Sequence, residues 1–315
     1  MLKKAVIISL SGYKLTSTEI ELFKNYLPWG VILFSRNIKD LHQLKKLIKS
    51  IRKVTKDMKY PILIDEEGGE VSRLKNIINN KLFSQKYFGK IYESNHIVGI
   101  KIYQNYINKL CEIFKSLGLN INTVPILDRL YPHTNNFLKN RIYSSKIKTI
   151  QSLSKVCINT YKKNKIATIV KHIPGHGLAK SDSHKKLPVI IKDLNYLMKN
   201  DFKCFKKNKS LFAMTAHILL KKIDNKNCVT HSKIVIKKII RKKIGFKGII
   251  ISDDISMKSL KNGLVENALK ALKAGCNLAL YCEGNTKISL KLLKKIPPID
   301  EFTKKKTSEF YKFLR

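Results

Sequence analysis

The chain has 315 residues, 43% of them hydrophobic, which is enough to bury a core and argues against a disordered chain. It carries 63 Lys and Arg against 22 Asp and Glu, a formal net charge of +41, so any polyanion would be attracted to it. No apolar run is long enough to span a bilayer, and we therefore expect no membrane partner.

Short apolar runs rich in β-branched residues recur along the chain, at 5–10, 30–34, 61–65, 122–128, 168–172, 212–217, 248–254 and 278–282. The first follows two lysines but is too short for a signal peptide and predicts a strand. Each run is continuously apolar, which is typical of parallel strands buried on both faces. Between them lie segments with helical spacing, among them 18–27, 41–56, 96–117, 149–163, 232–243 and 264–272.

This alternation of strand and helix, repeated about eight times, predicts an α/β fold of the (β/α)8 TIM-barrel type. No linker rich in Gly, Ser or Pro divides the chain, so we expect one domain over 1–315, with 287–315 as a Lys-rich helical tail. A doubly wound sheet is the alternative architecture.

The six cysteines are scattered and form no CxxC pair, which indicates reduced core thiols of a cytoplasmic protein and no zinc site. The lysine excess is spread over every helical segment and has no block with interleaved aromatic residues. We therefore attribute the charge to composition and expect no specific nucleic-acid partner, although a nucleic-acid surface is the alternative explanation.

Five predicted strands end in polar or ionisable residues. These residues are Asp65, Asp128, the pair Lys171 and His172, His217, and the segment 252–254. In a barrel the carboxyl ends of the strands converge at one mouth, where active sites are built. Because a buried charge without a partner is costly, the core has no use for these groups. The sequence thus predicts an active site at the mouth.

Asp253 follows a strongly apolar strand, so its carboxylate should be rigid and partly desolvated, as a nucleophile requires. The proton donor that such chemistry needs is available in Asp182-Ser183-His184, because residues two apart in an extended loop face the same way and can pair. Pro and Gly at 174–177 permit a sharp turn and then a mobile loop. The alternative is structural: Asp253 or Asp254 would cap the next helix, and His184 would be a surface residue.

The segment 171–184, KHIPGHGLAKSDSH, closely resembles the signature of the bacterial β-N-acetylglucosaminidases of glycoside hydrolase family three. Four more segments resemble motifs of that family and occur in the family's order: ILFSRN at 32–37, IDEEGGEVSRL at 64–74, VPILD at 124–128 and GFKGIIISDDISM at 245–257. The resemblance extends from the first strand to AGCNLALYC at 274–282, nearly the whole chain.

The resemblance implies a single-domain barrel and a retaining exo-β-N-acetylglucosaminidase of the cytoplasm, which needs neither cofactor nor metal. Its partner would be a small carbohydrate, namely muropeptides with terminal non-reducing N-acetylglucosamine, and we expect a monomer. By position, Asp253 matches the family's nucleophile, His184 the acid/base and Asp182 the residue that orients and tunes it. The sugar-binding positions correspond to Asp65, Arg73, Arg141, Lys171 and His172.

Most retaining glycosidases use a second carboxyl group as acid/base, so a histidine departs from the common pattern. A neutral imidazole avoids repulsion against Asp253, and imidazoles change charge near neutral pH. The chain also departs from its own family. Glu66 and Glu70 stand where Gln and Arg are usual, Asn277 stands where Asp is common, and the glycine expected before Arg141 is missing. These differences concern affinity and specificity more than the type of reaction.

Two other functions remain as alternatives. A metal-dependent barrel hydrolase would use His172, His176 and His184 with acidic residues as ligands, although the chain has neither His-x-His after the first strand nor HExxH. A non-enzymatic nucleic-acid-binding protein would bind DNA in a salt-dependent manner and tolerate changes at Asp253.

Overall fold

Eight parallel strands close into a barrel in the computed structural model, which describes residues 2–315. The strands, numbered one to eight here, are Lys4–Ser9, Pro28–Leu33, Ile62–Ile64, Ile121–Asn122, Ala167–Ile173, Phe212–Thr215, Ile249–Asp254 and Leu278–Tyr281. The first strand pairs with the eighth, Val6 lying opposite Ala279. This closure confirms the predicted (β/α)8 barrel, since a doubly wound sheet would leave two open edges.

The fourth strand is much shorter than the apolar run that predicted it. The run 122–128 contributes only Ile121–Asn122 to the barrel. Pro125 follows and has no N–H to donate to a neighbouring strand. Beyond it, Ile126 meets Lys171 only in an isolated bridge. Ile126 and Leu127 therefore lie outside the barrel sheet, Ile126 in a small apolar cluster and Leu127 in the main core.

Helices surround the barrel and agree with the predicted segments to within a few residues. The α-helices are Ser17–Asn25, Leu41–Thr55, Gln85–Ser94, His96–Leu117, Asn136–Lys139, Ile147–Lys163, Leu194–Lys199, Leu264–Ala274, Thr286–Lys295 and Glu301–Phe313. The remaining helical turns are 3₁₀ at Ser35–Asn37, Asp201–Phe205 and Val229–His231, and a wide π-helix at Ile234–Ile244. Two short strands, Val189–Ile190 and Leu219–Leu220, pair outside the barrel.

The final helix, Glu301–Phe313, covers the base of the barrel, where the strands begin. Its Phe310 ring lies 5.4 Å from Phe212 and 6.3 Å from Trp29, measured between centroids. The indole N–H of Trp29 donates to the hydroxyl of Thr307 at 2.8 Å. Because this helix closes the base, the opposite end of the barrel is the one left open to substrate.

Two further properties bear on the setting of the protein. Within residues 2–315, no helix is long and apolar enough to cross a membrane. All six cysteines are free thiols, five of them buried and Cys282 partly so.

Candidate active site

One cavity at the mouth of the barrel is lined by all eight residues that the sequence predicted for the site. They are Asp65, Arg73, Arg141, Lys171, His172, Asp182, His184 and Asp253. Apolar side chains complete the wall, among them Ile32, Phe34, Phe137, Met214 and Leu280. Polar groups that converge in a partly apolar cleft are typical of a binding or catalytic site.

Asp253 stands at the end of the seventh strand, and its Oδ1 accepts the backbone N–H of Asp254 at 2.8 Å. Burial alone would raise the pKa of the Asp253 carboxyl, but the neighbouring His217 and His172 and the backbone N–H of Asp254 outweigh burial and hold this pKa below its usual value. Asp253 is therefore an ionised carboxylate that the end of a strand holds in place.

Neither Asp253 nor Asp254 caps the next helix, so the alternative of a purely structural, helix-capping role is wrong. The helix Leu264–Ala274 begins after Gly263, well beyond both residues. Asp254 instead closes a turn: its carboxylate accepts from the N–H and the hydroxyl of Ser256 and from the N–H of Cys282. This turn connects the ends of the seventh and eighth strands, and so supports the position of Asp253.

The imidazole of His184 and the carboxylate of Asp182 form a pair, with 2.8 Å between His184 Nδ1 and Asp182 Oδ1. The segment is a turn and not the extended loop we expected, because the carbonyl of Asp182 accepts from the N–H groups of Lys185 and Lys186. The backbone N–H of His184 also donates to Asp182 Oδ1, at 2.9 Å. Partial burial would raise the pKa of Asp182, but these hydrogen bonds from His184 hold it below its usual value.

An ionised Asp182 assigns the proton of the paired nitrogen to Nδ1, which leaves Nε2 of His184 available to a substrate. The His184 side chain is 53% exposed, whereas that of Asp182 is 19% exposed. The imidazole thus projects from the loop into the open part of the cavity.

The base of this loop, in contrast to its tip, is tightly held. The N–H of His176 donates to Asp128 Oδ1 at 2.7 Å, and Thr134 donates its hydroxyl proton to the carbonyl of Gly177 at 2.7 Å. A Cβ on Gly177 would lie 1.8 Å from the carbonyl oxygen of Arg129, so only glycine fits at this position.

A cluster of two carboxylates and three cations forms the floor of the cavity. Lys171 Nζ lies 2.6 Å from both Asp65 Oδ1 and Glu67 Oε1. Arg73 Nη2 donates to Asp65 Oδ2 at 2.7 Å, and Arg141 makes a bidentate pair with Glu67, both bonds at 2.8 Å. Burial would raise the pKa of Asp65, but Lys171 and Arg73 hold it well below its usual value.

The cluster differs in one respect from the sugar contacts that the sequence predicted. Lys171 Nζ also donates to Thr123 Oγ1 at 2.9 Å, so its three protons already have partners. Arg141, in contrast, uses only Nε and Nη2 for Glu67, which leaves Nη1 for another acceptor. In this state of the site, Lys171 therefore holds Asp65 and Glu67 together, and Arg141 keeps an N–H group for a ligand.

His172 is oriented by Asp128, which the sequence placed among the strand ends at the mouth without assigning it a role. Its Nδ1 lies 2.8 Å from Asp128 Oδ2, so that Nε2 is the free nitrogen. Asp128 and Glu67 are acidic residues that follow predicted strands, and this position could have identified them as site residues. Phe137 had no such signal, because an apolar residue in a long loop does not indicate a site.

The metal-hydrolase alternative would place His172, His176 and His184 around one ion. Within residues 2–315, no group of three or more His, Cys, Asp and Glu side chains is arranged to hold a metal ion. Of the three histidines that the metal-hydrolase alternative requires, His172 pairs with Asp128 and His184 with Asp182. The third, His176, has a buried Nδ1 without a hydrogen-bond partner among these residues.

Known proteins resemble the chain in sequence and in structure. The β-hexosaminidase of Haemophilus influenzae strain PittEE is 32% identical over 305 residues, which cover 93% of this chain and 85% of the relative. That of Methylobacillus flagellatus is 30% identical over 284 residues, covering 88% and 80%. NagZ from Neisseria gonorrhoeae, in complex with N-trifluoroacetyl-D-glucosamine, superposes with a TM-score of 0.87 at 25% identity, covering 100% of this chain and 91% of that one.

A second structure of NagZ from Neisseria gonorrhoeae, in complex with zinc ion, has a TM-score of 0.86 at 25% identity and covers 98% of this chain and 90% of that one. Residues 3–305 match the family described as the Glycosyl hydrolase family 3 N terminal domain. The chain therefore belongs to glycosyl hydrolase family 3, as a β-hexosaminidase of that family.

Proposed function

We propose that the chain is a retaining exo-β-N-acetylglucosaminidase that releases terminal non-reducing N-acetylglucosamine from muropeptides through a covalent glycosyl ester on Asp253. One observation carries the proposal. The ionised carboxylate of Asp253 and the imidazole of His184, which Asp182 holds, line one cavity around the floor of carboxylates and cations. A nucleophile and a proton donor that share one sugar-sized site are what a double displacement requires.

In the first step, Asp253 attacks the anomeric carbon as the bond from that carbon to the leaving oxygen breaks. The imidazolium of His184 gives its Nε2 proton to that oxygen and becomes neutral, while Asp182 stabilises the cationic form beforehand. In the second step, Nε2 takes a proton from water, the water oxygen attacks the anomeric carbon, and Asp253 leaves as a carboxylate. The product keeps the β configuration after two inversions.

The floor of the cavity supports recognition of one sugar unit. Asp65 can accept hydrogen bonds from sugar hydroxyls, and Arg141 Nη1 can donate one, while Lys171 keeps the two carboxylates charged and in place. The bound N-trifluoroacetyl-D-glucosamine of the NagZ structure supports a 2-acylamino sugar as the ligand here. Two other features suit a cytoplasmic enzyme of muropeptides: the six unpaired thiols, and a net charge of +41 that attracts carboxylate-bearing fragments.

The test begins with hydrolysis of a nitrophenyl N-acetyl-β-glucosaminide, with the matching β-glucoside as the control for the acylamino group. Proton NMR of the first product should show the β anomer, and a 5-fluoro N-acetylglucosaminyl fluoride should label Asp253, as located by peptide mass spectrometry. Asp253→Ala should abolish both turnover and labelling. An α anomer as first product, or a label on another residue, would contradict the mechanism.

The acid role of His184 has its own test. His184→Ala should reduce the hydrolysis of natural substrates far more than that of dinitrophenyl glycosides, because only a poor leaving group needs a proton.

Comparison of a muropeptide with a chito-oligosaccharide tests which aglycone the enzyme prefers. A clear preference for the chito-oligosaccharide would contradict the muropeptide assignment and leave the reaction type intact.

A further inference from the structure

Phe137 is an apolar side chain that stays 39% exposed at the mouth of the cavity. The edge-to-face arrangement of its ring with His184 has 4.9 Å between centroids and an interplanar angle of 77°. On the same ring, the guanidinium carbon of Arg141 lies 4.5 Å from the centroid. Phe137 is thus the aromatic group in contact with the imidazole to which we assign proton transfer.

The backbone that carries Phe137 is anchored. The N–H of Phe137 donates to Asn135 Oδ1 at 2.9 Å, at the start of the short helix Asn136–Lys139. The next residue, Leu138, is buried in a small apolar cluster with Ile126 and Ile142. The ring therefore projects from a fixed position, and Arg141 is fixed against it because Glu67 holds that guanidinium in a bidentate pair.

The loop that carries His184 is held at its base and free at its tip. Asn135 donates its backbone N–H to the carbonyl of Ala179 at 3.2 Å and its side-chain amide to that of Lys180 at 3.4 Å. Beyond Lys180, the imidazole of His184 makes its one side-chain hydrogen bond with Asp182. A ring held by one hydrogen bond can still rotate about the line between the two bonded atoms. The edge-to-face contact with Phe137 is a second contact, and it restricts that rotation.

We propose that Phe137 is a positioning residue for the acid/base reaction. Its ring holds the imidazole of His184 in the tilt at which Nδ1 stays on Asp182 and Nε2 faces the glycosidic oxygen. The proposal rests on the proposed function, since it takes His184 as the acid. Phe137 itself exchanges no proton, and its ring is partly exposed.

The experiment measures kcat/KM for Phe137→Ala on a series of aryl N-acetyl-β-glucosaminides from dinitrophenyl to phenyl, beside His184→Ala. An edge-to-face pair of this kind is worth about a three- to tenfold effect. We expect kcat/KM, which reports the first step in which His184 is the acid, to fall by about that factor for phenyl and hardly at all for dinitrophenyl. Phe137→Tyr, which keeps the ring, should restore the wild-type dependence.

Phe34→Ala is the matched control, since Phe34 lines the same cavity and packs against Arg36 and Arg73 instead of His184. Phe34→Ala should reduce kcat/KM by the same factor for all leaving groups. If His184→Ala depends on the leaving group but Phe137→Ala does not, the positioning role is wrong and the proposed function stands. If His184→Ala shows no such dependence, the acid role fails and the positioning role fails with it. Should thermal unfolding show Phe137→Ala misfolded, Phe137→Leu carries the same comparison.

Discussion

At the scale of single residues, the buried carboxylates fall into two groups according to whether a cation lies beside them. Lys171 and Arg141 compensate the burial of Glu67, and its pKa is lowered. Glu66 accepts only from neutral donors, namely Asn80 and the backbone N–H groups of residues 73 and 74, and burial raises its pKa. The pKa values of the adjacent residues Glu66 and Glu67 are thus shifted in opposite directions.

Asp201 gives a testable case of the second group. Burial raises the pKa of its carboxyl to about 6, since its Oδ2 accepts only from the hydroxyl of Tyr131 and its Oδ1 has no hydrogen-bond partner among residues 2–315. A raised pKa means that the folded state binds the proton more tightly than the unfolded chain. Stability should therefore rise as pH falls through about 6, and Asp201→Asn should be more stable than wild type at neutral pH.

Urea unfolding of both proteins across this pH range measures the effect, and the difference in free energy of unfolding should shrink as pH falls. Asp224→Asn is the control of opposite sign. Although partial burial would raise the pKa of Asp224, hydrogen bonds from Ser232 and Asn227 lower it, so this variant should lose stability at neutral pH. Parallel pH profiles for wild type and Asp201→Asn would contradict the assignment.

Some of the site residues could be predicted from the sequence because their position follows from chain order. Asp65 and Asp253 stand at the ends of apolar strands, and a barrel brings such ends together whatever else the sequence does. Phe137 and the Glu67–Arg141 pair depend on how a long loop folds back over the mouth. No local periodicity specifies that path, so those contacts required the structure.

At the scale of elements, the loop after the fifth strand combines a rigid base with an exposed tip. Its base is packed so closely that the absent side chain of Gly177 would overlap the backbone of Arg129. Its tip carries Asp182 and His184 in a turn closed by local hydrogen bonds. A small displacement of the base would thus move the pair of Asp182 and His184.

Gly177→Ala tests this coupling. Because the obstacle at 1.8 Å is a backbone oxygen that cannot swing away, the loop must shift. We expect a cost of about 1–3 kcal/mol in stability and a fall in kcat of about a hundredfold. Thermal unfolding and steady-state kinetics measure the two effects. Gly12→Ala is the control, since a Cβ at that position would have no atom within 4 Å. Its stability and its kcat should both stay at the wild-type values. Wild-type kinetics for Gly177→Ala would show that the base tolerates movement.

The elements themselves were largely predictable, because burial on both faces leaves a clear apolar signature. The helix predicted at 41–56 ends at Thr55, where Lys56 adopts a left-handed conformation with φ 52°. The turn of Asp182 was not predictable, since its geometry depends on hydrogen bonds to its own carbonyl and not on alternation of side chains.

At the scale of the whole molecule, the net charge of +41 is the dominant electrostatic feature. The carboxylates of the cavity floor are already paired with cations, so they neutralise little of the surface excess. Like charges spread over the surface repel one another and destabilise the compact state.

Salt should therefore stabilise the protein. From about 0.01 M to about 0.15 M NaCl the Debye length falls from about 30 Å to about 8 Å, and the temperature of unfolding should rise as the repulsion between lysines is screened. Differential scanning calorimetry measures it, and KCl at equal ionic strength should give the same rise. A fall in the unfolding temperature would mean that attractive ion pairs outweigh the repulsion.

The pairing of the first strand with the eighth has a consequence for biosynthesis. Ala279 is synthesised long after its neighbour Val6, so the nascent chain holds an incomplete, open sheet until the eighth strand emerges. Each polypeptide that stalls before Leu278–Tyr281 emerges would present unsatisfied strand edges to other molecules. Pairing of the eighth strand with the first is thus the step that removes both exposed edges.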